Sequence, residues 1–255
     1  MHTKSLLEIR ETKFYSNLPR GLILTDDAVE RLLLVEYGSV FVASGVQLPP
    51  TVVFKDAASV CAFQAGLNQV STAIAGYELS LQWPAMKALL AAISEANAQN
   101  FSISPRGADS AARDYQATVN LWTSRVEPAL NYWVNEEKLS PDTAAYLRSL
   151  SPFEQVAEVL KLEADGLFFA KDLSKSIIYS VAPAGASQHL SMLAFDVSEF
   201  GEPTVREILE KHGWFQTVVS DLPHFTYLGV EERELAGLGL KPVDSCGQKF
   251  WTPDI

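Results

Sequence analysis

The sequence predicts an α+β fold, with a small antiparallel sheet in the C-terminal third flanked by a largely helical N-terminal and middle region. Three observations lead there. Short alternating segments gather after residue 175, helical periodicity dominates from about 108 to 165, and strands and helices never settle into a parallel βαβ rhythm. The length of 255 residues allows one large domain or two small ones, and 47% hydrophobic residues suffice for a core. Residues 1–100 form a mixed region of helix and strand with no motif that names its role. Residues 101–255 carry the candidate chemistry and a helical insertion at about 108–165; the two parts can also form one compact unit.

The elements follow in order. Thr25-Asp26-Asp27 is a helix start for the apolar-periodic run Ala28 to Tyr37, and Gly38 is a stop. Tyr37 to Val46 is β-rich and ends at Pro49-Pro50. Asp56 opens a short helix through Val60 and Phe63 that Gly66 closes, and Pro84 sits at the first turn of a helix over Met86 to Ala96. Phe101 to Ser104 alternates like a strand, and Pro105-Arg106-Gly107 turns out of it. Tyr115, Val119, Trp122, Val126 and Leu130 then recur at helical spacing in a stretch from Ser110 to Asn135. Its aromatics Trp122, Tyr132 and Trp133 are expected in helix packing. Ser151-Pro152-Phe153-Glu154 is a capping box for a helix ended by Asp165-Gly166. Strands are expected at Ser176–Val181, Leu193–Val197, Trp214–Val219 and His224–Leu228, with a helix from Thr204 to His212.

Charge and composition narrow the partners. With 31 acidic and 20 basic side chains the net charge is −11, which repels phosphate backbones and anionic lipid and argues against nucleic acid or a membrane surface. No apolar run reaches the ~18 residues that cross a bilayer. The start at Met1 runs into Glu8, Arg10 and Glu11, not into a signal segment, so a cytoplasmic protein is expected if the chain is complete. A periplasmic or extracellular location is the alternative if a signal peptide has been removed. Cys61 and Cys246 are too few for a thiolate cage or a disulfide scaffold. Both are expected free and buried as small hydrophobes, although one bridge between them stays open. Phosphate-binding glycine motifs and a Gly-x-Ser-x-Gly nucleophile turn are absent.

Chemistry-bearing residues concentrate late in the chain. Of four histidines, His189, His212 and His224 fall in the last third, while His2 stands at the terminus. On a strand, Met192, Ala194 and Asp196 share one face, and Leu193, Phe195 and Val197 form the opposite, apolar one. A strand starting at His224 can set its imidazole beside Asp196, and His189 can fold over the same point from the preceding loop. Two imidazoles and a carboxylate make a three-ligand zinc site with a fourth position for water. Asp221, three residues before His224, is the candidate general base. Structural hydrogen bonding is the plain alternative for all of these, and His212 suits the C-terminal end of a helix.

The run Val181-Ala182-Pro183-Ala184-Gly185-Ala186-Ser187-Gln188-His189, continuing to Ala194-Phe195-Asp196, resembles the zinc D-alanyl-D-alanine carboxypeptidase and dipeptidase family. That family carries a Pro-Gly loop, Ser-x-His, a six-residue gap, Asp, and then Glu-x-x-His. The resemblance covers residues 176–229 and implies an α+β fold of the hedgehog type around a small antiparallel sheet. It implies zinc held by His189, Asp196 and His224, with Ser187 at the substrate. Asp221 falls where the family has its catalytic glutamate and is one methylene shorter. Met192 replaces a glycine. The family's upstream Ser-Gly-Tyr-Arg-Ser has only Ile103-Ser104-Pro105-Arg106-Gly107 as a counterpart, so Arg106 is the candidate for binding substrate and steadying the oxyanion, with Arg113 second. The implied activity is metal-dependent hydrolysis of a short, soluble peptide, which includes cell-wall peptides. A non-catalytic, metal-stabilised binding domain on the same fold is the alternative, favoured by Asp221 and Met192. Oligomeric state is left open.

Overall fold

The computed structural model describes residues 12–24 and 28–255 and has the mixed, α+β architecture expected. The proposed helix start at Thr25-Asp26-Asp27, the N-terminal run Met1 to Glu11 and His2 lie outside the described residues. In chain order the elements are α1 (Lys13–Asn17), α2 (Ala28–Tyr37), α3 (Ala57–Ala65), β1 (Gln69–Ile74), β2 (Tyr77–Gln82) and α4 (Trp83–Ala98). Then come α5 (Tyr115–Asn135), α6 (Pro141–Ser149), α7 (Pro152–Ala164), β3 (Ala194–Asp196), α8 (Pro203–Lys211) and β4 (Trp214–Gln216). The chain closes with β5 (His224–Tyr227), α9 (Glu232–Leu235), β6 (Leu240–Ser245) and β7 (Gln248–Pro253). Among the described residues no helix is long and apolar enough to cross a membrane.

The chain divides into two compact units that are discontinuous in sequence. The first comprises Met1–Val52, Phe63–Arg113 and Gln188–Ile255, and the second Val53–Ala62 and Asp114–Ser187. In the first unit β3, β5 and β4 form a three-stranded antiparallel sheet with β5 in the middle. The sheet is buried on both faces: Phe195, Phe225 and Trp214 lie on one and Ala194, Phe215 and Thr226 on the other, all fully buried, and the Phe195 and Trp214 rings meet edge to face at 6.2 Å. Helices α4 and α8 pack on each other, and α8 packs on β4. The hairpins β1–β2 and β6–β7 complete the unit. Neither hairpin is among the strands expected from the sequence. The second turns through Cys246-Gly247, with φ of 52° and 72°, the backbone signature of a two-residue hairpin turn.

The second unit is helical. Trp122, Leu130, Leu147 and Val159 fill its core from α5, α6 and α7. The Ser151–Glu154 capping box forms as expected, and Asp114 caps α5, so that helix begins later than the proposed Ser110. Gly185 has φ +83°, and a Cβ there would lie 1.9 Å from the Phe54 carbonyl oxygen, so only glycine fits this turn.

Three expected strands are absent. Gly38–Val42 is a 3-10 turn with all five residues buried; a segment buried all round has no alternation to tell strand from turn. Ser176–Val181 contains a 3-10 turn at Ile177–Tyr179, where the Glu163 carboxylate accepts from the Ile177 N–H at 2.7 Å. Phe101–Ser104 forms no strand, although the next residue, Pro105, makes a single antiparallel bridge to Val197. Cys61 and Cys246 are free, as expected, but exposed rather than buried. Trp122 and Trp133 are buried, whereas Tyr132 is exposed. His212 caps the C-terminal end of α8 and bonds Glu95 at 2.9 Å.

Candidate metal centre

The site lies wholly within the first unit, at one edge of its three-stranded sheet. Antiparallel register places Asp196, the last residue of β3, directly opposite His224, the first of β5. His189 comes from the 3-10 turn Gln188–Ser191 just before β3. One ligand atom from each of His189, Asp196 and His224 falls within 4.8 Å of the others, so the cluster can hold a metal ion. Asp196 Oδ1 is 3.3 Å from His189 Nε2 and 3.2 Å from His224 Nδ1. The imidazole rings stand 4.9 Å apart at 75°, and His189 is only 2% exposed.

Surrounding groups hold each side chain. His189 Nδ1 lies 2.6 Å from the Ala111 carbonyl oxygen. A carbonyl only accepts, so Nδ1 carries a hydrogen, and in the neutral ring Nε2 turns its lone pair toward Asp196. A backbone carbonyl behind a ligating histidine is the usual way such a ring is oriented. The other carboxylate oxygen, Asp196 Oδ2, is paired with the Arg113 guanidinium at 2.8 Å, with both side chains nearly buried. His224 sits between Asp196 and the Gln188 amide, whose Oε1 is 3.0 Å from His224 Nε2.

The turn that carries His189 is itself braced by two glutamines. Gln64 Nε2 donates to the carbonyls of Arg113 (2.9 Å) and Leu190 (3.0 Å). Gln82 Nε2 donates to Ser191 O and Gln47 O, both at 2.8 Å. Met192 then leads into β3 with φ +57°, buried in the left-handed region that a glycine occupies without strain.

Electrostatics define what the cluster lacks. Burial is the largest influence on His189 and lowers its pKa; Asp196 pulls upward and Arg113 adds to the lowering. Burial opposes ionisation of Asp196, yet the imidazoles of His189 and His224 hold its carboxyl well below the usual carboxylate range. That pull on Asp196 needs positive charge or N–H hydrogens on the imidazole side, whereas burial opposes a proton on His189, so the carboxylate and a neutral His189 are best reconciled by a cation between them. Acceptor against acceptor in a buried site is unfavourable unless a cation sits between them.

The remaining candidates are placed as follows. Arg106 is exposed; its backbone N–H bonds Asp196 O at 3.2 Å, and among the described residues its side chain makes no ion pair with the cluster. Arg113 is the arginine that reaches the cluster. Asp221 is exposed in the turn before β5, where its carbonyl accepts from the His224 N–H at 3.1 Å. Among the described residues its carboxylate forms no hydrogen bond or ion pair with His189, Asp196 or His224. Ser187 is half-buried at the end of the second unit. Gln188, Thr217, Thr226 and the Ala111 carbonyl were not marked by sequence reasoning. Gln188 alone had a signal, as the neighbour of a candidate ligand. Comparison with protein-family models, curated proteins and solved structures finds no significant match to this chain.

Proposed function

We propose that this chain is a zinc-dependent peptidase of the D-alanyl-D-alanine carboxypeptidase or dipeptidase type, acting on a short peptide. The observation that carries the proposal is the buried convergence of two imidazole nitrogens and one carboxylate oxygen, with Arg113 alongside. Two nitrogens and an oxygen suit zinc, and three protein ligands are the number that catalytic zinc sites keep. When bound, zinc supplies Lewis-acid polarisation of a carbonyl and a water acidic enough to act as nucleophile near neutral pH.

The chain's own groups do the rest. Arg113 occupies Asp196 Oδ2, which leaves Oδ1 as the ligating oxygen, and sets a fixed positive charge beside the site. That charge favours an anionic group or a developing oxyanion close by. Asp221 is the nearest carboxylate in sequence to His224 and is proposed to carry the proton; it has to turn inward when substrate binds. Arg106 is a proposed substrate contact.

Metal analysis of protein purified without added metal tests the reading, together with hydrolysis of D-Ala-D-Ala and muropeptide fragments. Stoichiometric zinc and release of D-alanine support it; protein that takes up no zinc overturns it. A second reading, a metal-stabilised binding domain without turnover, is favoured by the exposure of Asp221 and its lack of a side-chain bond to the cluster. Such a domain would bind these peptides and return them uncleaved.

A further inference from the structure

Behind His224 lies a buried ring of hydrogen bonds whose direction is set by one backbone carbonyl. Gln188 Nε2 is 2.8 Å from the Tyr37 carbonyl oxygen, which can only accept. That contact fixes the amide orientation: Nε2 donates to Tyr37 and Oε1 points the other way. Two groups meet Oε1, the Thr226 hydroxyl and His224 Nε2. An amide oxygen has no hydrogen to give, so both must donate to it. Thr226 has then spent its only proton, and the Thr217 hydroxyl, 2.6 Å away, must donate to Thr226. Thr217 Oγ1 in turn faces Gln188 Nε2 at 3.5 Å, which closes the circuit. Gln188, Thr217, Thr226 and His224 are all at most 5% exposed, so water does not offer an alternative set of partners.

We propose that Gln188 is a positioning residue that makes His224 a ligand through Nδ1. With a hydrogen held on Nε2 by this circuit, the tautomer of His224 that can ligate has its lone pair on Nδ1, the atom that faces Asp196 Oδ1. Rotating the ring or moving its proton would leave Oε1 without its second donor and turn an N–H toward the place of the metal. The ring thus does for His224 what the Ala111 carbonyl does for His189, with a side chain in place of backbone. This assignment rests on the metal-site reading for its consequence, but not for its geometry.

The test uses the full chain and two readouts. Long-range nitrogen–proton NMR correlations of the metal-free protein report which imidazole nitrogen of His224 holds the hydrogen; chelator competition reports zinc affinity. Wild type should show the hydrogen on Nε2. Gln188→Leu should lose that signature and bind zinc about 10–100-fold more weakly, the loss typical when the partner behind a ligand is removed. Thr217→Val should weaken zinc binding in the same direction, and Thr217→Ser, which keeps the hydroxyl, should restore it. Should Gln188→Leu not fold, the Thr217 pair decides. A hydrogen on Nδ1 in wild type, or a folded Gln188→Leu with unchanged zinc affinity, would overturn the proposal. Wild type that binds no zinc yet keeps the Nε2 hydrogen overturns the peptidase reading and leaves the orientation by Gln188 standing.

Discussion

Two carboxylates removed from water, one in each unit, are treated in opposite ways. Glu163, in the helical unit, is met by three donors: the backbone N–H groups of Phe169 (3.0 Å) and Ile177 (2.7 Å) and the Ser176 hydroxyl. No cation pairs with it among the described residues, and burial is the largest influence, raising its pKa against the pull of those bonds. Asp196, in the sheet unit, has a guanidinium on one oxygen and imidazole nitrogens on the other, and its pKa is held low. Donors complete the first carboxylate, which therefore pins a loop. The second is completed on its imidazole side only by positive charge, which a proton or a bound cation supplies. Burial alone does not separate a structural acid from a functional one; the hydrogen-bonding sense of the neighbours does.

The largest expected effect strikes the incomplete site. Replacing His189 or His224 by Ala should abolish stoichiometric zinc uptake, because two ligands remain where three are needed. Metal content after dialysis reads this directly, and a variant that keeps full occupancy would remove the distinction between the two carboxylates.

Glu163→Ala comes next and acts on stability instead. It leaves the Phe169 and Ile177 N–H groups without their acceptor, at a cost of about 3 kcal/mol for the pair. Urea unfolding should show this loss with zinc content unchanged. If zinc falls in step with stability, the roles of the two acids are not separable as described.

The pH dependence sharpens the contrast because its sign differs between the two. Glu163 has a folded pKa above its unfolded one, so the native state holds more protons in between. Its contribution to stability is present below the ordinary carboxylate value and is lost as pH rises through the folded pKa. Asp196 has a folded pKa below its unfolded one, so its contribution is present above the ordinary value and is lost as pH falls through the folded pKa. Stability of metal-free Glu163→Gln and Asp196→Asn, each measured against wild type across the acidic range, should therefore diverge with opposite slopes. Parallel slopes would contradict the comparison. The smallest effect is expected at Ser176→Ala, which removes one of three donors to Glu163 and should cost about 1 kcal/mol in the same unfolding assay.

Much of the sheet was legible because side chains point to opposite faces in turn even in short strands, here both of them buried. Leu193–Val197 announces its faces, and the pairing of Asp196 with His224 follows once both are placed on adjacent strands. The helical unit was legible through the 3.6-residue period of α5 and the Ser151–Glu154 box. What stayed hidden has a common cause. The group behind His189 is the carbonyl of Ala111, and every residue has a carbonyl, so no side-chain pattern marks it. Gln188 is an ordinary polar residue until Tyr37, far away in sequence, orients its amide. Arg113 and Asp196 likewise meet only because the 104–110 segment runs beside β3, where Ser198 N–H bonds Ser104 O and Asp196 N–H bonds Ser110 O.

The discontinuity of the sheet unit bears on the order in which the centre can assemble. Arg113 is the last residue before the helical segment and Gln188 the first after it, and the Arg113 N–H bonds the His189 carbonyl at 3.3 Å. Bringing those ends together across an unstructured loop of roughly 75 residues costs about 4 kcal/mol in chain entropy. A segment already folded on its own core of Trp122, Leu130 and Val159 has far less freedom left to surrender. The centre should therefore form after that segment, and a protease nick there would fall hardest on residues that touch none of it.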